Sequence, residues 1–244
     1  MFYTRELFYH NVVNELISSK KASILVCGGG HLDKMCFEKL GFSDVVISNL
    51  DSKIIEDEFS PFKWKYENAE SLSFSDKSFD YVVIHAAIHH ASSPHKMLTE
   101  MYRVAKIAIL AVESRDSIVM RFMEKYGFSQ TYEHSAVYYN ECKYGGVNNT
   151  EIPNYIYRWT EREIEKTIQS YDPYYVHKFI YRYGANFPAT SELESKAMLK
   201  VIFLKCMRPL YQVFIKLFPR QQNLFAFFIE KPNKLRSTFP MVTL

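Results

Sequence analysis

Short apolar runs alternate with segments of helical periodicity along the chain. Short runs that contain β-branched residues and end at glycine or polar residues are typical of buried strands, whereas apolar residues spaced three to four apart are typical of helices. Strands are predicted at 22–27, 44–51, 63–70, 79–87, 106–113, 174–184 and 223–232. Helices are predicted at 4–19, 32–40, 94–105 and 159–171.

Alternating strands and helices indicate a parallel sheet that helices cover on both faces. In such sheets ligands bind beyond the carboxyl ends of the strands, near the point where the strand order reverses. The 244 residues are long enough for one large α/β domain with additional segments.

Two segments depart from the alternation. Residues 127–158 are irregular, rich in Tyr and Asn, and long enough to indicate a functional insertion. Residues 191–218 form a basic, apolar helical insertion, and its charges and Pro209 argue against a membrane-spanning helix. Two interpretations stay open for it: a pair of amphipathic helices that pack on the sheet, or a surface that contacts a membrane or a lipid-linked substrate.

Composition narrows the class of partner. The 18 Tyr and 19 Phe fit a dense core or an aromatic-walled pocket. A net charge of +3 without a basic arm disfavours nucleic acid. The four cysteines show no CxxC spacing; they are Cys27, Cys36, Cys142 and Cys206. The N-terminus shows no signal-peptide pattern, and both observations favour a location in the reducing cytoplasm.

The first predicted strand runs directly into Gly28, Gly29 and Gly30. Glycines at this point let a ligand approach the backbone, and the next helix presents free N–H groups. A dinucleotide fingerprint needs a third glycine where this chain has Asp33. This mismatch counts against NAD as the ligand. Asp51, at the end of the second strand, could accept hydrogen bonds from ribose hydroxyls or could simply cap a helix.

A longer stretch carries a family resemblance. Residues 67–106, "ENAESLSFSDKSFDYVVIHAAIHHASSPHKMLTEMYRVAK", resemble the central part of class I S-adenosylmethionine-dependent methyltransferases of the small-molecule type. The resemblance lies in the Ala-Glu-x-Leu-x-Phe turn, the Ser-Phe-Asp before a strand, the His-His pair and the Arg-Val helix, and it covers about residues 22–113.

The resemblance implies a Rossmann-like α/β fold: a seven-stranded mixed sheet with helices on both faces and an antiparallel last strand. It implies S-adenosylmethionine as cofactor, with Asn68 at the adenine amino group and the backbone of Ala69 at a ring nitrogen. The cofactor-binding residues so predicted are Gly28, Gly29, Gly30, Asp51, Ser52, Asn68, Ala69, Glu70 and His85.

The chain also departs from the family. Val26 stands where the family usually has an acid for the methionine amino group, Leu32 replaces a glycine, and Asn68 replaces an aspartate. The Gly-Gly that commonly precedes the fifth strand is absent. These departures keep a rival open, a binding module that retains the fold without turnover; the other rival is an NAD(P)-dependent oxidoreductase.

Methyl transfer mainly requires placement of the acceptor, with removal of a proton where the acceptor carries one. His89 and His90 follow the fourth strand and are the predicted catalytic residues, as bases or as residues that only shape the pocket. A metal site formed by His89, His90, Glu113 and His134 lacks recognisable ligand spacing, so no metal is predicted.

The acceptor is predicted to bind the insertion 127–158. Aromatic and polar side chains there could stack on a polar ring, and a sugar or glycolipid hydroxyl is the first hypothesis; the predicted substrate residues are Tyr138, Tyr139, Tyr144, Tyr155 and Arg158. "IHAA" (84–87) replaces the Asn/Asp-Pro-Pro-Tyr of base-methylating enzymes, which counts against nucleic-acid amines.

The domain prediction is a single methyltransferase domain, 1–244, with an N-terminal lid helix at 1–20. Tyr3, Phe8 and Tyr9 of that helix would close over the cofactor. The predicted partner is a small-molecule acceptor, with peripheral contact to a membrane or lipid-linked substrate left open.

Overall fold

The computed structural model describes residues 4–187 and 198–232. Tyr3, the first part of the predicted lid and the start of the 191–218 insertion lie outside the described residues.

Seven strands form one sheet in the described part of the chain. They are β1 Ile24–Cys27, β2 Val45–Asn49, β3 Lys63–Tyr66, β4 Phe79–His85, β5 Ala105–Ser114, β6 Lys178–Gly184 and β7 Leu224–Glu230. The order is β3-β2-β1-β4-β5-β7-β6, with β1 to β5 parallel and β7 antiparallel to both of its neighbours. The predicted seven-stranded mixed sheet with an antiparallel last strand is therefore confirmed.

Helices cover both faces of the sheet. They are α1 Arg5–Leu16, α2 His31–Lys39, α3 Pro94–Val104, α4 Ile118–Lys125, α5 His134–Tyr138, α6 Glu161–Tyr171 and α7 Met198–Leu217. One face packs against α1 and α2, the other against α3 and α6, and each encloses its own apolar cluster. Burial of these apolar side chains is the main source of stability of such a layered fold.

The helix starts follow the sequence signals. Thr160 precedes α6, and its hydroxyl accepts a hydrogen bond from Glu163 N at 3.2 Å, as the Thr-x-x-Glu spacing predicts. Thr4 caps α1 in the same way, through Leu7 N at 3.1 Å.

The structure adds detail to the predicted helices. In α1, Phe8, Tyr9 and Val13 are buried against the sheet, whereas Leu7 is exposed. In the described part of the basic insertion, Met198–Leu217 form one helix, α7, with Pro209 inside it; since residues 191–197 lie outside the described residues, the interpretation as a pair of helices stays a prediction. The helices α4 and α5 were not predicted, since each spans too few residues to show a clear period.

No helix among the described residues is long and apolar enough to cross a bilayer.

The register of the sheet sets the position of the site. Cys27 pairs with Ser48 on one side and with Ile84 on the other, so β1, β2 and β4 end at the same level. The next residue after each of these three, namely Gly28, Asn49 and His85, is consequently brought to the same carboxyl edge of the sheet.

Candidate functional site

The turn after β1 requires glycine. Gly28 has a φ of +60°, and a Cβ there would lie 2.7 Å from the Cβ of Ala87. A Cβ on Gly29 would lie 2.8 Å from Cγ2 of Ile47. Backbone from two strand ends thus approaches closely, and the turn leaves bare main chain at the edge of the sheet.

Asp33 closes this turn in the position where a dinucleotide fingerprint has its third glycine. Its Oδ2 accepts a hydrogen bond from Gly30 N at 2.9 Å, and its Oδ1 accepts one from the Tyr9 hydroxyl at 2.8 Å. Burial raises the pKa of Asp33 to about 6, although both hydrogen bonds oppose the shift. One N–H at the start of α2 is therefore already occupied by the protein's own carboxylate.

A cleft of about 230 Å³ lies at the carboxyl edge of β1, β2, β3 and β4. Strand ends, the loops that follow them and α3 contribute one wall, which consists of Gly28, Asn49, Leu50, Glu67, Ala69, Ala86, Ala87, His90 and Met97. The insertion contributes the other wall, which consists of Gly145, Gly146, Asn148 and Asn149. Gly28, Ala69 and His90 are the predicted site residues that the cleft brings together.

Asn49 occupies the end of β2 inside the cleft, a position that sequence reasoning missed. Its Nδ2 donates to Gly29 O at 2.9 Å, which ties the end of β2 to the glycine turn. Asp51 does not line the cleft, and its Oδ1 accepts from Lys53 N at 3.0 Å in a local turn. Ser52, beside it, is exposed. The register of β2 with β1 identifies Asn49, but that register becomes visible only in the structure.

The side chains after β3 hold loops. Asn68 Oδ1 accepts from Glu70 N at 2.9 Å, and the Glu70 carboxylate accepts from the backbone N–H groups of Ser92 and Ser93 at 3.0 and 2.8 Å. Of the three predicted positions in this turn only Ala69 lines the cleft. Asn68 and Glu70 fix the two loops between which the cleft opens.

His85 is covered by the N-terminal helix. The Tyr9 ring stacks on it with centroids 4.4 Å apart and an interplanar angle of 6°. Burial lowers the pKa of His85 to about 4, and the charge of Arg5 adds to the shift. The imidazole is consequently neutral at physiological pH and lies behind the cleft wall rather than on it.

His89 is held between two carboxylates. Its Nδ1 lies 2.8 Å from Glu113 Oε2, and its Nε2 lies 3.2 Å from Glu133 Oε2. Burial by itself would lower the pKa of His89, but Glu113 and Glu133 outweigh it and raise the pKa to about 9. Glu113 is fixed in turn, since its Oε1 accepts from Ala87 N and Ile88 N at 2.9 and 2.8 Å.

His90 differs from its neighbour because it lines the cleft. Its Nε2 lies 3.3 Å from Glu133 Oε2, and about a quarter of its side chain is exposed (28%). Hydrogen bonds from His89 and His90 hold the pKa of Glu133 far below its usual range. Glu133 was not among the predicted site residues, because it lies in an irregular segment with no motif to indicate it.

The insertion crosses the mouth of the cleft. Asn149 Nδ2 donates to Leu50 O at 3.0 Å, and Asn148 Nδ2 donates to Ser92 Oγ at 2.6 Å. The Lys53 ammonium lies 3.5 Å from the centroid of the Tyr144 ring. The segment 144–149 therefore bridges the loops that follow β2 and β4.

The predicted substrate residues differ in their exposure and contacts. Tyr138, Tyr139 and Tyr155 are exposed, with 74%, 83% and 48% of their surface accessible to solvent. Arg158 is buried and pins the insertion, with Nη2 donating to Ser129 Oγ at 3.0 Å and Gln130 O at 2.9 Å. Arg158 thus holds the insertion in place, while the exposed tyrosines leave the acceptor contacts an open prediction.

A second cavity lies between α4 and α7 and has a volume of about 410 Å³. Its lining is almost entirely apolar and aromatic, with Met120, Phe122, Phe128, Phe203 and Phe214 among its members. Apolar cavities of this size accept hydrocarbon groups.

Comparison with known proteins agrees with this geometry. Residues 25–108 match the family model described as a methyltransferase domain. This family uses S-adenosylmethionine. The matched segment and the sheet topology agree with the predicted resemblance to class I S-adenosylmethionine-dependent methyltransferases, which is thereby confirmed.

Solved structures share the fold over nearly the whole chain. A Thermotoga maritima S-adenosylmethionine-dependent methyltransferase has 15% identity and a TM-score of 0.54, with 93% of this chain and 89% of that chain covered. A Haloferax volcanii protein solved with the Trm112 methyltransferase activator has 13% identity and a TM-score of 0.56, with 93% and 90% covered.

A third similar structure holds ligands. The Burkholderia thailandensis 1,6-didemethyltoxoflavin-N1-methyltransferase, with its substrate and S-adenosylhomocysteine bound, has 9% identity and a TM-score of 0.55, with 94% of this chain and 79% of that chain covered. At these identities the likeness concerns the fold. No curated protein matches the sequence.

Proposed function

We propose that this chain transfers a methyl group from S-adenosylmethionine to a hydroxyl of a small molecule, with a sugar or glycolipid as the acceptor class. The single observation that carries the cofactor part is the cleft in which Gly28, Asn49 and Ala69 meet at the carboxyl edge of the sheet. The family match over residues 25–108 supports the same assignment.

The residues present fit an adenosyl cofactor. Asn49 offers an amide oxygen with no hydrogen bond among the described residues, which suits a ribose hydroxyl, while its nitrogen is held by Gly29 O. Leu50, Ala69 and Met97 give apolar surface for a purine ring. S-adenosylmethionine, when bound, supplies the methyl group as an electrophile.

The acceptor is proposed to bind on the His90 side of the cleft, where insertion and strand ends meet. There the acceptor oxygen would form the bond to the methyl carbon as the carbon–sulfur bond breaks, the electron pair staying on sulfur and the acceptor proton leaving. His90 is the predicted catalytic residue that touches this space, and His89 lies behind it. The apolar cavity between α4 and α7 supports an acceptor with an alkyl portion.

Calorimetry with S-adenosylhomocysteine tests the cofactor part. We expect Asn49→Ala to weaken binding by about 10-fold, the scale of one lost hydrogen bond. Asp51→Ala is the matched control, because Asp51 bonds only its own turn, and it should change affinity by less than about 2-fold. A larger loss in Asp51→Ala than in Asn49→Ala would restore the sequence assignment of the ribose contact.

Turnover is tested by release of S-adenosylhomocysteine with a panel of sugars, alkyl glycosides and glycolipids. Product formation that rises with alkyl length would support the proposed acceptor class. Tight cofactor binding without turnover on any hydroxyl, amine or thiol acceptor would favour the non-catalytic binding module instead.

A further inference from the structure

Three side chains beside the cleft place potential metal-ligand atoms together. Among the described residues, the nitrogen and oxygen atoms that His89, His90 and Glu133 can offer lie within 4.8 Å of one another. Glu133 Oε2 is 3.2 Å from His89 Nε2 and 3.3 Å from His90 Nε2. Neighbouring ligand atoms around a tetrahedral ion bound at 2.0–2.2 Å are roughly 3.3–3.6 Å apart, so the distances from Glu133 to the two imidazoles suit coordination.

The surroundings of His89 match those of a metal-bound imidazole. Its Nδ1 contacts Glu113 Oε2 at 2.8 Å, which directs Nε2 towards Glu133. A carboxylate on the second ring nitrogen is the usual partner of a histidine that ligates a metal, because it fixes the tautomer and the ring orientation. Glu113 is itself fixed by two backbone N–H groups.

Asn154 adds an independent observation. It is fully buried, its Nδ2 lies 3.3 Å from Glu133 Oε2, and its Oδ1 has no hydrogen-bond partner among the described residues. Rotation of the amide by 180° exchanges two atoms of similar size and would present this oxygen beside Glu133. The orphaned oxygen is explained if a cation lies near Glu133.

Charge and exposure indicate how an ion would be balanced and from which side it would be open. Glu113 and Glu133 bring two carboxylates into a largely buried position, and a divalent ion that replaces the imidazole protons would balance their charge. His89 and Glu113 are closed off, with 5% and 0% of their side chains exposed, whereas His90 and Glu133 are partly open at 28% and 30%. An ion here would have its free coordination position on the cleft side.

We propose that His89, His90 and Glu133 bind one first-row divalent transition-metal ion, with zinc as the reference ion and Glu113 as the positioning residue for His89. Two imidazoles and one carboxylate are a borderline-soft donor set that suits such ions better than magnesium or calcium. Neither Glu133 nor a metal was predicted from the sequence.

The role of the ion rests on the proposed methyl transfer. An acceptor hydroxyl bound at the open position would lose its proton to solvent more readily, and its oxygen would then form the bond to the methyl carbon as the carbon–sulfur bond breaks. His89 and His90 would thus activate the acceptor as ligands rather than as bases. Metal binding itself can be measured whether or not methyl transfer occurs.

The test is zinc titration of chelator-treated full-length protein by calorimetry, with elemental analysis for stoichiometry. We expect one zinc per chain, a loss of about 100-fold or more in affinity for His90→Ala and Glu133→Gln, and a loss of about 10–100-fold for Glu113→Gln. Cobalt in place of zinc should give the visible bands of a low-symmetry site in the wild type and not in Glu133→Gln.

His134→Ala is the matched control, because His134 neighbours Glu133 in sequence but is exposed and outside the cluster. It should bind zinc as the wild type does, and circular dichroism and S-adenosylhomocysteine binding should show that every variant is folded. Wild-type protein that takes up no zinc, or zinc binding unchanged in both His90→Ala and Glu133→Gln, would overturn the site. Normal cofactor binding in that case would leave the proposed function intact, with His90 acting without metal.

Discussion

The two walls of the cleft are built from different material. On the wall formed by β1 to β4, bare backbone and short side chains define the shape, as the contact between Gly28 and Ala87 shows. On the insertion wall, polar side chains such as Asn148 and Asn149 reach across to the opposite loops. The first wall lies within the matched methyltransferase segment, residues 25–108, and the second lies outside it.

The two walls differ in how much they depend on the fold shared with other proteins and how much on side chains particular to this chain. Backbone that comes close to a ligand depends on fold and register, so the same turn can serve one cofactor in many proteins. Side chains on an insertion can change without disturbing the sheet, and they decide what else the cleft admits. Glu133 illustrates this, because the insertion supplies it to two histidines that follow β4 within the matched segment.

The largest expected effect breaks the backbone wall. Gly28→Ala places a Cβ in left-handed backbone, which costs about 1–2 kcal/mol, and also drives it into Ala87. We expect S-adenosylhomocysteine affinity to fall by about 100-fold or more, measured by calorimetry. Gly30→Ala is the control, because nothing lies within 4 Å of its Cβ position, and it should bind nearly as the wild type does. Similar losses in both variants would mean that crowding at Gly28 is not what shapes the wall.

A smaller effect tests the acid that closes the turn. Because the folded pKa of Asp33 is about 6 and its ordinary value is 3.8, the unfolded chain releases this proton first as pH rises. Stability is therefore lost between about pH 4 and 6, and the stability of the wild type should fall relative to that of Asp33→Asn, which does not titrate, by about 2–3 kcal/mol between pH 3 and pH 7.

Urea unfolding of both proteins at several pH values measures this difference, and all other titrating groups cancel in the comparison. A stability difference that does not change with pH would show that Asp33 ionises normally in the folded state.

The smallest effect sharpens the insertion wall. Asn149→Asp keeps the size of the side chain and tolerates the left-handed backbone at this position. Because aspartate cannot donate to Leu50 O, the contact between the insertion and the loop after β2 should lose about 1 kcal/mol. We expect S-adenosylhomocysteine affinity to fall by about 5-fold. Asn14→Asp, on the exposed side of α1, is the control for the added charge. An affinity unchanged in Asn149→Asp would separate the insertion from cofactor binding.

Sequence patterns predicted the fold well because strand and helix periods are local properties. The order of elements from β1 to β5 and the position of the glycine turn follow directly from apolar runs and their ends. The antiparallel direction of β7 came from the family resemblance and not from the pattern of its own residues, and its position between β5 and β6 is seen only in the structure.

The site was harder to predict because it depends on register and on distant contacts. Asp51 stood out as an acid, yet the pairing of β2 with β1 brings Asn49 to the cleft. Arg158, Tyr138 and Tyr139 were predicted as substrate contacts from the composition of the insertion alone, and Tyr138 and Tyr139 are exposed. Glu133 meets His89 across 44 positions of sequence, and no spacing rule reaches that far.

The packing of α1 has a consequence for how ligands could reach the cleft. Phe8 fills the space above Gly184, where a Cβ would lie 2.6 Å from its ring, and Tyr9 is completely enclosed beside His85. To swing away, this helix would have to draw both rings out of the core, whereas segment 144–149 would have to release only a few polar contacts and one cation–π contact at the surface. Exchange of cofactor for product is therefore expected to pass beneath the insertion and to leave the buried rings of the N-terminal helix in place, whereas the predicted lid movement of residues 1–20 stays a prediction.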